Sequence, residues 1–136
     1  MKRCLTSNFI LCGLCGWCFE CFWTGLGAIR KKEDKRLICN TSIWMFPIYG
    51  SAALIEPISH LLKPFSFITR GVVYTAFIFL TEFFTGSWLR KRGACPWDYS
   101  DSSLNYKGLI RLDYAPLWFT MSLLYEKILS FSKKKR

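Results

Sequence analysis

Four apolar stretches, at about residues 8–29, 42–62, 71–89 and 114–131, take up most of this 136-residue chain, and basic residues punctuate them. A bilayer crossing needs roughly 20 mostly apolar residues, so each stretch has the length of a candidate span. The expected fold is all-α: one multi-pass domain over residues 1–136, an integral membrane bundle of four transmembrane helices, with an aromatic, polar loop between helices 3 and 4. Composition agrees, since 51% of residues are hydrophobic and 18% aromatic. A soluble domain of this size seldom has interior enough for so many Phe and Trp.

The net charge of +10 comes from basic clusters beside the apolar runs: Arg30-Lys31-Lys32, Lys35-Arg36, Arg90-Lys91-Arg92 and Lys133-Lys134-Lys135-Arg136. Lys and Arg in such places anchor helix ends at lipid headgroups. Nucleic acid is not an expected partner, because a binding face would carry its basic patches without hydrophobic interruption. The dense carboxy-terminal cluster favours both chain ends facing the cytoplasm. A bacterial inner (plasma) membrane is the expected location, or the endoplasmic reticulum in a eukaryote. Lys2 and Arg3 ahead of the first stretch also resemble the start of a signal peptide. The length of the stretch and its aromatics, Trp17, Phe19, Phe22 and Trp23, favour a retained helix.

Each apolar stretch carries an acidic residue: Glu20, Glu56, Glu82 and Glu126. A charged side chain at the centre of a spanning helix costs about 3 kcal/mol on insertion scales, so such residues face protein or water and mark functional paths. Cys12, Gly16 and Glu20 recur every four residues and share a helix face; Glu82 shares one with Thr75, Ile78, Phe79, Thr85 and Gly86. Small residues let another helix approach closely. The simple expectation is that the first and third helices pack together and bring Glu20 and Glu82 into a common interior. Glu56 precedes Pro57, where a kink or break is expected, and His60 follows one turn later, within reach of Glu56 if the helix survives the proline. Glu126 and Lys127 fall late in the fourth stretch and are expected to snorkel to the interface.

Seven cysteines include the run Cys12-x-x-Cys15-x-x-Cys18-x-x-Cys21. The spacing hints at a metal or iron–sulfur site, but nine helical residues rise ~13.5 Å, whereas one zinc gathers its sulfurs within ~2.3 Å. The thiols are read as small packing residues, with Cys4 a palmitoylation candidate. No metal and no cofactor is expected. The chain lacks a P-loop, a dinucleotide fingerprint, a Ser/His/Asp order and a His-x-x-x-His pair. Asp98, Glu82 and His60 offer acid–base groups for lipid chemistry at no telling spacing, so the chain is not expected to be an enzyme.

Gly16-Trp17-x-Phe19-Glu20, Trp44-x-Phe46-Pro47-Ile48-Tyr49-Gly50, Glu82-x-x-x-Gly86, Cys95-Pro96-Trp97-Asp98-Tyr99-Ser100, Asn105-x-x-Gly108-x-Ile110-x-Leu112 and Tyr114-Ala115-Pro116-x-Trp118 follow one another in order. Together they resemble the bacterial family of putative ABC-transporter type IV permeases and its animal relatives, the transmembrane protein 229 family, over about residues 8–125. The resemblance implies a small multi-pass protein acting as a transporter or permease component. It carries over, by position, Glu20, Tyr49, Gly50, Glu82, Trp97, Asp98, Tyr99, Asn105 and Gly108. Binding or relay of a cation or proton is expected from Glu20, Glu82, Asp98, Tyr49, Trp97, Tyr99 and Asn105. The expected partners are membrane lipids, a second copy or another membrane subunit, and a separate ATP-binding subunit, since this chain has no nucleotide cassette. A non-enzymatic scaffold or assembly protein, with the carboxylates fixing helix pairing, is the alternative.

Overall fold

A computed structural model describes residues 5–30 and 36–134. Cys4, the run at 31–35 and residues 135–136 lie outside the described residues. The chain is mostly helical and forms two compact units, dividing between Ala53 and Leu54.

In the first unit, α1 runs from Leu5 to Arg30, about 39 Å at 1.5 Å per residue. The chain then returns through residues 36–44 to α2, Met45–Gly50, which packs on α1. The glycines of α1 decide where. A Cβ on Gly13 would fall 2.7 Å from the Phe46 ring, and one on Gly16 would collide with Tyr49. From the other side, a Cβ on Gly50 would meet Phe9 at 2.6 Å. The small-residue face of α1 is thus covered by α2, and the Phe46 ring meets Phe9 edge-on and Trp17 at a tilt. The Trp17 indole N–H donates to the Ser42 carbonyl at 3.0 Å.

The second apolar stretch is not one rod. After α2 comes a 3-10 turn, Ser51–Leu54, and then α3, Ile55–Leu61. Pro57 is the third residue of α3, in its first turn, where its missing N–H leaves no helix bond unmade. The break therefore falls just ahead of the proline.

In the second unit, α4 spans Phe67–Arg90. It starts four residues earlier than the apolar pattern predicts because Ser66 caps it, accepting from the Thr69 amide at 3.3 Å. It is closed off by Gly93, just past its end, whose φ of +64 is the left-handed conformation. The Gly93 and Ala94 amides donate to the Arg90 and Leu89 carbonyls, both at 3.0 Å, the Schellman arrangement that closes helices. A short antiparallel hairpin follows, β1 (Asn105–Tyr106) and β2 (Ile110–Arg111), turned by Lys107 and Gly108, both at positive φ. A 3-10 turn, Leu112–Tyr114, leads into α5, Ala115–Lys134. α5 packs on α4 and α3, and a Cβ on Gly71 would run into the Phe119 ring.

Two helical segments, Leu5–Gly27 and Phe67–Arg90, are long and apolar enough to cross a membrane, and in each only 22% of the most apolar window is buried. Leu14, Phe22, Trp23 and Leu26 on α1, and Val72, Phe77, Leu80 and Phe84 on α4, are all exposed. Soluble monomers rarely display apolar surface on that scale.

Candidate functional site

The residues singled out by sequence fall into three places. The first is around Glu20. Its Oε2 accepts from the Thr41 hydroxyl at 2.5 Å, and the Tyr49 phenol also hydrogen-bonds this carboxylate. Tyr49 is brought there by the absence of a side chain at Gly16, one turn before Glu20. Glu20 and Tyr49 therefore do meet, and the carboxylate points at protein. Its partners come from α2 and from the segment ahead of it. Sequence alone does not reveal Thr41 as a partner, because its position depends on the return path of residues 36–44.

The second place is the loop after α4. The Asp98 carboxylate accepts from the Ser100 amide (3.0 Å) and hydroxyl (2.6 Å), and Arg90 Nη2 lies 3.3 Å away. The Ser100 hydroxyl and amide, with a smaller contribution from Arg90, hold the Asp98 carboxyl below its ordinary range. Asn105 accepts from the Gly108 amide at 2.8 Å and donates to the Ser102 carbonyl at 2.5 Å. The Tyr99 amide donates to the Gly108 carbonyl at 2.9 Å, and its ring meets Tyr114 edge-on at 5.9 Å. Arg111 grips Asp113 at 2.8 Å and lies over the Tyr114 ring. Asp98, Tyr99 and Asn105 thus gather around Gly108, with Arg111 and Asp113 forming a separate clasp.

What joins this loop to the helix is Arg90, which in the sequence is only one member of a basic cluster. Its guanidinium donates to the Lys107 carbonyl at 2.6 Å and to the Gly108 carbonyl at 3.2 Å. Gly108 has to be glycine: its φ is +65, and a Cβ would lie 2.5 Å from Ser100 Oγ and 2.7 Å from Asp98 Oδ1.

The third place is Glu82, inside α4. The residue is 8% exposed, and its Oε2 is sealed from solvent with no hydrogen-bond partner among the described residues. One turn further on, Gly86 is covered by Leu109 and Trp97, whose atoms would come within 2.8 and 2.9 Å of a Cβ there. Trp97 is held by its indole N–H, which donates to the Leu109 carbonyl at 3.1 Å. The aromatic loop therefore sits on the same face of α4 as Glu82, one turn away.

Glu20 and Glu82 belong to different units, and each glycine-bearing face is covered within its own unit: that of α1 by α2, that of α4 by the loop. Among the described residues no group of three or more His, Cys, Asp or Glu is gathered as metal ligands would be; the Cys12–Cys21 run stays on one continuous helix. Glu56 and His60 pair at 3.7 Å across one turn of α3 and remain half-wet.

No solved structure matches the chain. The family described as putative ABC-transporter type IV matches residues 7–135, which takes in all three places. The chain belongs to that family.

Proposed function

We propose that this chain is a multi-pass membrane component of a transporter and that Glu82 handles a proton or small cation. The observation that carries this reading is the Glu82 carboxyl: buried inside an apolar helix, with one oxygen sealed and unpartnered among the described residues. Burying a polar atom without a hydrogen bond costs about 1–3 kcal/mol, and ionisable groups retained at such depth mark ion and proton pathways. The exposed apolar faces of α1 and α4 support a lipid environment, and the family description supports a transport assembly. In this reading α1, the broken α2–α3 rod, α4 and α5 all cross an inner membrane, the Trp97 loop covers one mouth, and ATP use belongs to a separate subunit. The chain itself is not assigned an enzymatic step.

The test is flux in proteoliposomes under an ionophore-imposed potential, read with a pH-sensitive dye or a sodium-selective probe. Glu82→Gln is expected to reduce flux at least tenfold and Glu82→Asp to retain part of it. Unchanged flux in Glu82→Gln removes the proposal.

One observation favours a scaffold as the second reading. Glu20 is hydrogen-bonded by both Thr41 and Tyr49 and so ties α1 to α2 and to the strand of chain ahead of it. Under that reading Glu20→Gln keeps partner capture in mild detergent while Glu20→Leu loses it, and Glu82→Gln changes neither capture nor flux.

A further inference from the structure

Residues 39–41 are laid along one face of α1. The Thr24 hydroxyl donates to the Asn40 carbonyl at 3.2 Å, and its oxygen accepts from the Asn40 amide at 3.1 Å. Thr41 donates to Glu20. A Cβ on Gly25 would come 3.2 Å from the Leu37 carbonyl oxygen and 3.8 Å from the Cys39 Cβ. Glu20, Thr24 and Gly25 share that face with Cys21, which lies one helical turn before Gly25, so the chain sets Cys39 against the stretch of α1 that carries the Cys21 thiol. Both are free thiols; Cys21 is half-buried and Cys39 exposed. The chain path thus pairs one member of the helical cysteine run with a cysteine from outside the helix.

We propose that Cys21 and Cys39 form a reversible dithiol–disulfide site, oxidised by a small disulfide such as oxidised glutathione. Exchange proceeds by thiolate attack on a disulfide sulfur. The exposed Cys39 loses its proton and attacks one sulfur of the oxidant, expelling the other half as a thiolate and leaving a mixed disulfide. Cys21 then loses its proton and attacks the Cys39 sulfur, expelling the second half. The protein gives up two electrons and two protons and gains one S–S bond, and the oxidant is reduced to two thiols. The bond ties residues 36–44 to α1 beside the Glu20–Thr41 contact. A bond between Cys18 and Cys21, on consecutive turns of the same helix, ties nothing together.

The experiment uses the full chain in membrane vesicles. It is treated with oxidised glutathione, blocked with N-ethylmaleimide, digested and mapped by mass spectrometry. The expected result is a linked peptide pair joining Cys21 to Cys39, released by dithiothreitol, with Cys12, Cys15 and Cys95 recovered in unlinked peptides. In Cys21→Ser, glutathione is expected to remain on Cys39, because the resolving thiol is gone. Three outcomes overturn the proposal: a Cys18–Cys21 link, a lasting glutathione adduct on Cys39 of the unaltered chain, or full alkylation of both thiols. None of these readouts depends on transport.

Discussion

Arg70 Nε lies 3.4 Å from Glu126 Oε1, joining the first turn of α4 to the later half of α5. Both side chains are largely covered, 25% and 19% exposed, beside the buried Tyr74. Removing one member of a fully buried pair costs about 3–5 kcal/mol, because the other charge is left uncompensated. With this residual exposure, Glu126→Ala or Arg70→Ala is expected to cost about 1–3 kcal/mol. The double replacement Arg70→Met with Glu126→Leu is expected to be milder than either single change. Denaturant unfolding of the unaltered chain, the two single variants and the double variant in detergent checks this.

The close approach of α2 to α1 predicts a sharp contrast between two glycines. Gly16→Ala places a methyl group against Tyr49 and is expected to cost about 1–3 kcal/mol through overpacking, and to pull Tyr49 away from Glu20. At Gly27 a Cβ would have nothing within 4 Å of it, so Gly27→Ala is expected to stabilise α1 by about 0.5–1 kcal/mol. Thermal unfolding of the two variants separates them; equal effects would mean that α2 does not press on α1.

Acid is expected to loosen the loop through Asp98. Its folded pKa lies below the ordinary value of 3.8, chiefly because Ser100 donates to it. A lowered carboxylate pKa contributes stability above the unfolded value, and that contribution is lost as pH falls through the folded one. The Ser100 amide should therefore stay protected from hydrogen exchange across neutral and mildly acidic pH, and open only below the ordinary Asp range. Asp98→Ala, which removes the acceptor, should expose it at every pH.

Replacing Glu82 with leucine separates a functional burden from a packing role. If the sealed carboxyl is retained for ion handling, Glu82→Leu should abolish flux yet stabilise the fold by about 1–3 kcal/mol, the cost of an unsatisfied buried polar group. A destabilised Glu82→Leu that Glu82→Gln does not reproduce would assign the residue to helix packing.

Periodicity and local chemistry carry the helices. The stretches expected at 8–29, 71–89 and 114–131 appear as Leu5–Arg30, Phe67–Arg90 and Ala115–Lys134. The proline break in the second stretch is legible because a missing N–H is a local matter, and so is the turning role of the Gly93 and Gly108 region. The early start of α4 is readable too, in Ser66 followed by Thr69, but an apolar-run criterion overlooks caps. The rest depends on where distant segments land. Glu126 looks like a snorkelling end residue until Arg70 is seen beside it. Glu20 and Glu82 show equivalent patterns of acid and glycine, yet one is hydrogen-bonded twice and the other has an oxygen with no partner among the described residues. Cys39 is an ordinary loop residue until the return of the chain sets it against Cys21. Spacing along one helix cannot reveal such partners.

Arg90 has a practical consequence for topology mapping. Because its guanidinium grips the Lys107 and Gly108 carbonyls, α4 does not finish in a slack tether. The hairpin is fastened to the last helical turn, so in the proposed membrane arrangement Tyr106 and Lys107 lie on the same side as that turn. A single impermeant label on Lys107 would report which way the entire rod points.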